Sequence, residues 1–268
     1  MNTSLSKNRL YLHIVCCISA LLLFCCCSVK ENRTGCPCRL VLDFGNERNA
    51  HLDSLVLVVA SDGDVVHTDT ILRSDFSNQY QVDVPRGRLT VTAVSMYEGG
   101  VLLRDGAVLI PYGTECPEIF MDCQSFDADF LETVTSEVIM RKNYCRMTIG
   151  VEDGEHFDYG LNVKGEVDGY GSDGNCSVGK FCADARKMQT GEFLVLIPRQ
   201  YDASLLLDVN DGSDIVKTFA LGEYILASGF DWTAPDLGDI VVGIDYARTV
   251  LSLSVIGWDK TYHFDFVI

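Results

Sequence analysis

Basic residues are scarce in this chain of 268 residues, which has only 21 lysines and arginines but 38 aspartates and glutamates. The resulting formal net charge of −17 repels the phosphates of nucleic acids and of anionic lipid surfaces. We therefore expect neither as a partner. The charge is expected instead to keep the folded chain soluble.

The usual motifs of hydrolases and nucleotide-binding proteins are also missing. No Gly-x-Ser-x-Gly elbow occurs, so a serine hydrolase of that type is not indicated. Residues 174–180 have the glycine and lysine spacing of a phosphate-binding loop, but Phe181 stands where a hydroxyl would hold magnesium. The histidines beyond the N-terminal segment lie in polar, turn-like or strand-alternating contexts, and each is expected to be an exposed side chain rather than a catalytic base; they are His51, His67, His156 and His263. We expect no enzymatic activity; a weaker alternative is an acidic hydrolase with paired carboxylates, although carboxylates are too abundant to single out one pair.

Two segments have part of the pattern of a metal site. Residues 208–214 resemble a calcium loop in composition, but the glycine falls one position early and the closing glutamate is missing. Cys36 and Cys38 flank a proline, and no second Cys or His pair follows at ligand spacing. The sequence therefore predicts neither a metal site nor a cofactor, and an Asp-Gly hairpin turn explains the first segment better.

Strand patterns dominate the rest of the chain. Apolar and polar residues alternate in 79–84, 251–255 and 262–267, which is typical of half-buried antiparallel strands. Continuous apolar runs, at 55–60, 193–197 and 205–207, are typical of strands covered on both faces. Asp-Gly pairs suit the positive backbone angles of tight hairpin turns, and they begin at Asp62, Asp105, Asp153, Asp168, Asp173 and Asp211. An all-β fold of short antiparallel strands is the expected architecture.

Helical signals are few. Phe130, Val134 and Val138 lie at four-residue spacing, and residues 221–227 are long enough for two turns. Neither stretch is long enough to connect parallel strands in an α/β fold. Both tryptophans, Trp232 and Trp258, are expected to pack in the core rather than to contact a ligand.

The N-terminal segment has the features of an export signal. Lys7 and Arg9 precede an apolar stretch at 10–24, which has the length of a signal-peptide core and is short for a membrane span. It ends in the sequence Leu-Leu-Leu-Phe-Cys-Cys-Cys-Ser, which is typical of the site where bacterial lipoproteins are cut and acylated. Cleavage before an acylated Cys27 is favoured because Ser28 and a polar segment follow it directly, and Cys26 is the alternative. The open alternatives to acylation are ordinary secretion and an uncleaved anchor helix.

Seven of the twelve cysteines follow Cys27, an odd number in a chain expected to enter an oxidising compartment. Cys145 lies in an apolar run and is expected to be a small buried residue. Two pairs are close enough in sequence to close short disulfide loops, Cys116 with Cys123 and Cys176 with Cys182, although spacing does not fix the connectivity.

Two stretches are similar to a known family. The first runs from Cys36-Pro37-Cys38 through the apolar residues to Phe44, and it resembles the start of FimB-like fimbrial anchor subunits of the type V pili of Bacteroidetes. The second comprises Asp231-Trp232, residues 237–247 and residues 250–258, and it resembles the C-terminal signature of that family. The three adjacent cysteines and the additional Cys38 depart from the family pattern.

The resemblance implies a lipoprotein of the outer membrane with two transthyretin-like antiparallel β-sandwich domains in tandem. Such a protein anchors a fimbria, influences its assembly and length, and joins a shaft subunit by β-strand addition. We expect a signal peptide at 1–26, a lipid-anchored tether at 27–36 and sandwich domains at 37–130 and 131–268. The final strand, 262–268, is expected to be either a sheet edge or a mobile element. Surface exposure is favoured by Lys30-Glu31, which partly matches an acidic surface-export signal. The alternative is a carbohydrate- or ligand-binding surface lipoprotein whose exposed aromatic residues stack on sugars.

Overall fold

The computed structural model describes residues 35–45, 52–76, 79–96, 102–152, 158–245, 250–256 and 261–267. Contacts divide the chain into Met1–Cys36 and one compact unit, Pro37–Ile268, and the description below concerns the second. The expectations for Cys26, Cys27 and the signal peptide fall outside the described residues, as do Trp258, His51 and His156.

Within these ranges the chain forms twenty β-strands, one α-helix and a short 3-10 helix at Arg73–Asp75. The first ten strands are β1 Cys38–Asp43, β2 Ser54–Ser61, β3 Asp64–Leu72, β4 Tyr80–Val84, β5 Arg88–Met96, β6 Leu102–Arg104, β7 Ala107–Leu109, β8 Ile119–Asp127, β9 Thr133–Glu137 and β10 Arg141–Lys142. The others are β11 Tyr144–Glu152, β12 Gly160–Tyr170, β13 Cys176–Asp184, β14 Arg186–Lys187, β15 Phe193–Pro198, β16 Leu206–Asp211, β17 Asp214–Phe219, β18 Asp239–Asp245, β19 Val250–Ile256 and β20 Thr261–Val267, and helix α1 is Leu221–Ala227.

The first sandwich packs the three-stranded sheet β4-β1-β9 against the five-stranded sheet β10-β8-β5-β2-β3. Alternate residues of each strand point inward, as the period-two pattern requires. They form one buried apolar cluster that includes Leu40, Leu57, Val91 and Val134. The continuous apolar run in β2, a central strand that lies between β3 and β5, is buried along most of its length.

The second sandwich packs two six-stranded sheets, β14-β15-β11-β18-β19-β20 and β17-β16-β12-β7-β6, with β13 on the other side of β12. Its core is a separate and larger apolar cluster with members such as Met147, Val163, Val195 and Ile240. Cys145 is fully buried there, as predicted. The fold is therefore all-β, with two β-sandwiches in tandem.

The two sandwiches repeat one topological feature. Strands β1 and β11 each pair antiparallel with one strand, β4 or β15, and parallel with a later one, β9 or β18. The expected sandwiches were purely antiparallel, so these two parallel pairs are a difference. Each pair joins segments that are distant in sequence, and local patterns carry no information about such a pairing.

The strands also divide between the sandwiches differently from the expected boundary at residue 130. Strands β9 and β10 complete the first sandwich, so its last strand ends at Lys142. In the opposite direction, the hairpin β6-β7 leaves the first half of the chain and pairs with β12 in the second sandwich. Phe130, Val134 and Val138 do not form a helix, because Val134 pairs with Leu40 in the first sheet.

Most of the predicted turns within the described residues occur where expected, and the one at Asp153 lies outside those residues. Asp62, Asp105, Asp173 and Asp211 each lie at a connection between consecutive strands, and Asp62 and Asp105 have positive φ angles of 52° and 51°. Asp168-Gly169 was also expected to be a turn, but it lies within β12 beside a register shift. A Cβ atom at position 169 would lie 1.9 Å from the carbonyl oxygen of Val108, so the glycine permits close contact with β7. Helix α1 occupies the predicted residues, 221–227.

Candidate functional site

The segment that joins the sandwiches is fixed by the loop between α1 and β18. One carboxylate oxygen of Asp236 accepts a hydrogen bond from Nη1 of Arg141 at 3.0 Å, and the other accepts from the backbone N–H of Lys142 at 2.9 Å. The backbone N–H of Leu237 in turn donates to the carbonyl oxygen of Lys142 at 3.1 Å. The last strand of the first sandwich is thus attached to the second sandwich by both backbone and side-chain bonds.

Arg199 extends this junction. It follows β15, and its guanidinium donates to Oδ1 of Asn143, the residue between β10 and β11, at 3.1 Å. The remaining guanidinium N–H groups donate to backbone carbonyl oxygens of the same loop, those of Trp232, Ala234 and Pro235. Because a guanidinium offers five donors in a fixed plane, one side chain can hold several carbonyl groups that would otherwise lack partners.

Tyr170 supports the junction from the core. Its hydroxyl donates to the carbonyl oxygen of Asn143 and accepts from the backbone N–H of Arg199 at 2.9 Å. Burial raises the pKa of this phenol well above its usual value, so it remains neutral and able to donate. These contacts make the junction a firm connection between the sandwiches.

Loops of the second sandwich also pack against the outer face of the five-stranded sheet. The hydroxyl of Thr92 on β5 donates to the carbonyl oxygen of Ser172 at 2.9 Å. A Cβ atom on Gly174 would lie 2.7 Å from Cβ of Cys123 on β8, so the turn can approach the sheet this closely only with glycine there. A cleft of about 260 Å³ lies beside these contacts, and the groups that line it, including Arg141, Arg199 and Asp173, are largely hydrogen-bonded to protein.

Side chains bridge one side of the first sandwich, where the edge strands β3 and β4 face each other. The hydroxyl of Tyr80 donates to Oδ2 of Asp69 at 2.8 Å and lies 2.5 Å from Nε2 of His67. Burial, and then the bond to Asp69, raise the pKa of Tyr80. The same bond lowers the pKa of Asp69. His67 is therefore a half-buried member of this bridge, whereas the sequence predicted an exposed side chain.

On the opposite side of the first sandwich, side chains of β8 and β9 bridge the two sheets. Nε2 of Gln124 donates to the carbonyl oxygen of Glu137 at 2.7 Å, and the hydroxyl of Ser136 donates to Oε1 of Gln124. The carboxylate of Asp122 accepts from the backbone N–H of Ile139 at 3.2 Å. Both sides of the first sandwich therefore have polar bridges that compete with the approach of another strand.

The edge strands of the second sandwich, as far as the structure describes them, include β17 and β20. The C-terminal strand β20 pairs along its whole length with β19, so it forms the edge of its sheet, which is one of the two expected alternatives. Strand β17 pairs with β16 and forms an edge of the facing sheet, with Ile215 and Val216 about half exposed. An edge strand offers free N–H and C=O groups to an incoming strand. The candidate functional site is therefore the pair of edges β17 and β20.

The four cysteines expected in short disulfide loops are free thiols in this structure, as are Cys36, Cys38 and Cys145. Cys176 and Cys182 lie in one extended strand, β13, six residues apart. At a rise of about 3.3 Å per residue their Cα atoms are roughly 20 Å apart, far beyond disulfide distance. Cys116 is buried in the core of the second sandwich, whereas Cys123 lies in the middle of β8 on the outer face of the first. The expected loops therefore do not form.

The other motifs noted in the sequence form turns, strands or core contacts in the described structure. Residues 174–180 run from a turn into β13 rather than into a helix, so no phosphate-binding loop forms. Residues 208–214 form the predicted hairpin, and Asp208 accepts from the hydroxyl of Thr218 at 2.6 Å. Among the described residues, no group of three or more Cys, His, Asp or Glu side chains is arranged to hold a metal ion. Trp232 is 5% exposed and packs edge-on against Phe230, as expected of a core residue.

The sequence does not predict the contacts that join the two sandwiches. Arg199, Asp236 and Tyr170 have no local pattern that distinguishes them, because each acts on a residue distant in sequence. The resemblance of 231–247 to a C-terminal signature was the one available signal, since the loop that holds Arg141 and Lys142 begins there.

No described helix has the length and apolar character needed to cross a membrane. The sequence matches no protein-family profile, and no curated protein sequence is significantly similar to it.

Solved structures share the fold over most of the chain. The fimbrial anchor protein Mfa2 from Porphyromonas gingivalis superimposes with a TM-score of 0.59 at 11% identity, covering 87% of this chain and 98% of that one. An inferred polysaccharide-binding protein from Bacteroides thetaiotaomicron gives 0.58 at 14% identity, covering 86% and 98%. An inferred adhesin from Bacteroides ovatus gives 0.56 at 11% identity, covering 85% and 96%. The chain therefore has the tandem-sandwich fold of these proteins.

Proposed function

We propose that this chain is a non-enzymatic lipoprotein of the outer membrane that anchors a fimbria at the cell surface and influences its assembly and length. The observation that carries the proposal is the likeness of fold to a fimbrial anchor protein, which extends over 87% of this chain and nearly all of the other. Two independent features of the sequence agree with it, namely the lipoprotein-like run ending at Cys27 and the resemblance of residues 36–44 to mature anchor subunits.

The proposed contact with the shaft is β-strand addition at the second sandwich. Main-chain hydrogen bonds from β17 or β20 to an extended segment of the shaft subunit would give affinity, and the alternate side chains would give specificity. Strands β3 and β9 of the first sandwich are less suited, because Tyr80 and Gln124 bridge its two sides. The junction around Arg199 would then transmit load from the second sandwich to the first.

Lipid attachment at the N-terminus would retain the filament. An acylated cysteine carries several chains, and at about 0.8 kcal/mol for each buried methylene group, two or more chains hold a protein on a membrane. Palmitate labelling of the wild-type chain, Cys27→Ala and Cys26→Ala tests the attachment directly. We expect Cys27→Ala to lose the label and Cys26→Ala to keep it. Retention of label in both variants would refute lipid attachment at these positions.

The anchoring role is tested in the source bacterium by deleting the gene. We expect filaments to be shed into the medium and to be altered in length, and complementation with the wild-type gene to restore both properties. Site-specific photo-crosslinking from position 215 or 216 on β17 identifies the partner, and position 186 on the short edge strand β14 serves as the control. Attached filaments of normal length, together with no pilin-like crosslinked partner, would contradict the proposal.

The alternative is a surface lipoprotein that binds carbohydrate, as one of the proteins of similar fold is inferred to do. Stacking on sugars requires exposed aromatic side chains, and Trp232 is buried against Phe230. Tyr112 and Tyr201 are exposed, at 64% and 50%, but they occupy separate loops. A glycan array with the chain from Ser28 onward separates the two functions, since saturable binding to one class of glycan would favour the alternative.

A further inference from the structure

One loop of the first sandwich exposes large apolar side chains. It connects β8 to β9, and in it the side chain of Phe130 is 90% exposed and that of Leu131 is 45% exposed. Val65, near the start of β3, is 39% exposed. Removing a large apolar side chain from water is favourable, so two adjacent exposed apolar side chains make this loop suited to contact an apolar occupant.

Strand directions place this loop at the end of the sandwich where the chain enters. Strand β1 begins at Cys38, and β9 runs parallel to it with Arg39 opposite Thr133. The backbone N–H of Arg39 donates to the carbonyl oxygen of Glu132 at 2.9 Å, so the entry point and the exposed loop are in direct contact.

The connection to the second sandwich lies at the opposite end of the first sandwich. Strands β1 and β9 both run away from the loop, and β9 is followed by β10 and then by the junction at Asn143. Strand β8 ends at the loop and begins at Ile119, whose carbonyl oxygen accepts from the backbone N–H of Asn143 at 2.9 Å. The exposed apolar end is therefore opposite the junction, at the end of the first sandwich where β1 begins.

We propose that the Phe130–Leu131 loop inserts into the lipid surface to which the N-terminus is attached, so that the first sandwich rests on the membrane by this end. The proposal rests on the lipid anchoring proposed above. The tether from an acylated Cys27 up to Cys36 comprises the nine residues 27–35. A fully extended segment of that length reaches at most about 30 Å. Such a short tether gives the loop a high effective concentration at the surface, so two side chains suffice for insertion that would be weak in a free protein.

The charges around the loop select the type of lipid. Asp127, Asp129 and Glu132 flank the apolar pair in sequence, and Asp127 and Asp129 line a cleft together with Asp62 and Arg88. The surplus of carboxylates disfavours anionic headgroups. Zwitterionic lipid is therefore the appropriate probe, and phosphatidylcholine with brominated acyl chains reports insertion because bromine quenches tryptophan fluorescence on contact.

The experiment uses the full lipid-modified chain, reconstituted in vesicles of brominated or plain phosphatidylcholine. Phe130→Trp is the test variant, Val178→Trp is the matched control, and the wild-type chain gives the background of its own two tryptophans. Val178 is 76% exposed on β13 of the second sandwich, so both substitutions replace an exposed apolar residue. We expect the bromine-dependent loss of emission to be roughly twofold or more greater for Phe130→Trp, since insertion places that side chain at the depth of the upper acyl chains.

Flotation of the vesicles separates the two proposals. If the protein floats with the vesicles but Phe130→Trp is quenched no more than Val178→Trp, lipid anchoring stands and insertion of the loop is refuted. If the protein does not float, lipid anchoring fails, and the insertion that depends on it fails too. Absence of quenching together with a blue shift of Phe130→Trp on adding purified shaft subunit would assign the loop to a protein partner and overturn the proposal.

Discussion

The hydroxyl of Tyr80 on β4 donates a hydrogen bond of 2.8 Å to the carboxylate of Asp69 on β3, across the two sheets of the first sandwich. Each residue belongs to an edge strand, and no backbone ladder joins these two strands in the described structure. The bond, with His67 as its third member, therefore substitutes for strand pairing on this side.

Tyr80→Phe tests the bridge. The variant keeps the ring and removes the hydroxyl, so we expect a loss of about 1 kcal/mol in the free energy of unfolding at pH 7. Urea denaturation monitored by circular dichroism measures it. Tyr201→Phe, on a half-exposed loop residue, is the control and should change the free energy of unfolding by much less.

The pH dependence of that bridge has a defined sign. The bond from Tyr80 lowers the pKa of Asp69, so the unfolded chain binds more protons at this site than the folded chain near pH 4. The stability that it contributes is present above the ordinary pKa of an aspartate and is lost as the pH falls through the lowered value. We expect the difference in unfolding free energy between wild type and Tyr80→Phe to shrink between about pH 4 and pH 2. A difference that is constant over this range would contradict the assignment.

Arg199→Ala tests the junction. The substitution leaves the carbonyl groups of Trp232, Ala234 and Pro235 without their charged donor, and we expect a loss of about 2–3 kcal/mol in stability. Arg199→Lys keeps the charge but not the planar set of donors, so it should restore only part of the loss. Arg186→Ala on the exposed strand β14 is the control. Equal effects of Arg199→Ala and Arg186→Ala would show that the junction contributes little.

Gly169→Ala tests the contact between β7 and β12. The added methyl group would lie 1.9 Å from the carbonyl oxygen of Val108, so the hairpin β6-β7 must shift. We expect a loss of about 3 kcal/mol or more, as measured by urea denaturation. Gly113→Ala is the matched control, because position 113 also has a positive φ, of 85°, but its Cβ atom meets no heavy atom within 4 Å. The control should lose only about 1 kcal/mol.

The thiols give a test of the cysteine assignment. Burial raises the pKa of Cys116 and of Cys145, so both should resist a water-soluble thiol reagent until the chain unfolds. Cys36 is exposed and should react at once in the native protein. With the chain from Ser28 onward, we expect seven free thiols after unfolding without reductant. Fewer than six reactive thiols would reveal a disulfide that the structure lacks.

The sequence alone predicts much of the local structure. Alternation at 79–84 and the apolar run at 193–197 correspond to β4 and β15, and the buried positions of Cys145 and Trp232 were also predicted. These predictions succeed because strand periodicity and residue burial depend on a few neighbouring residues. Helix α1 coincides with residues 221–227, which the sequence indicates only as a stretch long enough for two turns.

Long-range relationships were not predictable in this way. Local patterns carry no information about the parallel pairing of β1 with β9, so the sequence predicts a boundary at residue 130, whereas strands of the first sandwich extend to Lys142. Asp168-Gly169 has the composition of a turn, but the contact with Val108 keeps it within a strand. The edges β17 and β20 likewise follow from the complete sheet order, since a strand is an edge only with respect to all the others.

The parallel pairing of β1 with β9 has a mechanical consequence. A pull on the N-terminal segment, resisted through the junction at the opposite end, acts along the axis of β1. Hydrogen bonds to β4 and β9 lie across that axis, so they are sheared together and cannot be opened one after another from the end of the strand. Under such a pull, the first sandwich would yield only when both ladders fail at once, so we expect forced unfolding to be slow.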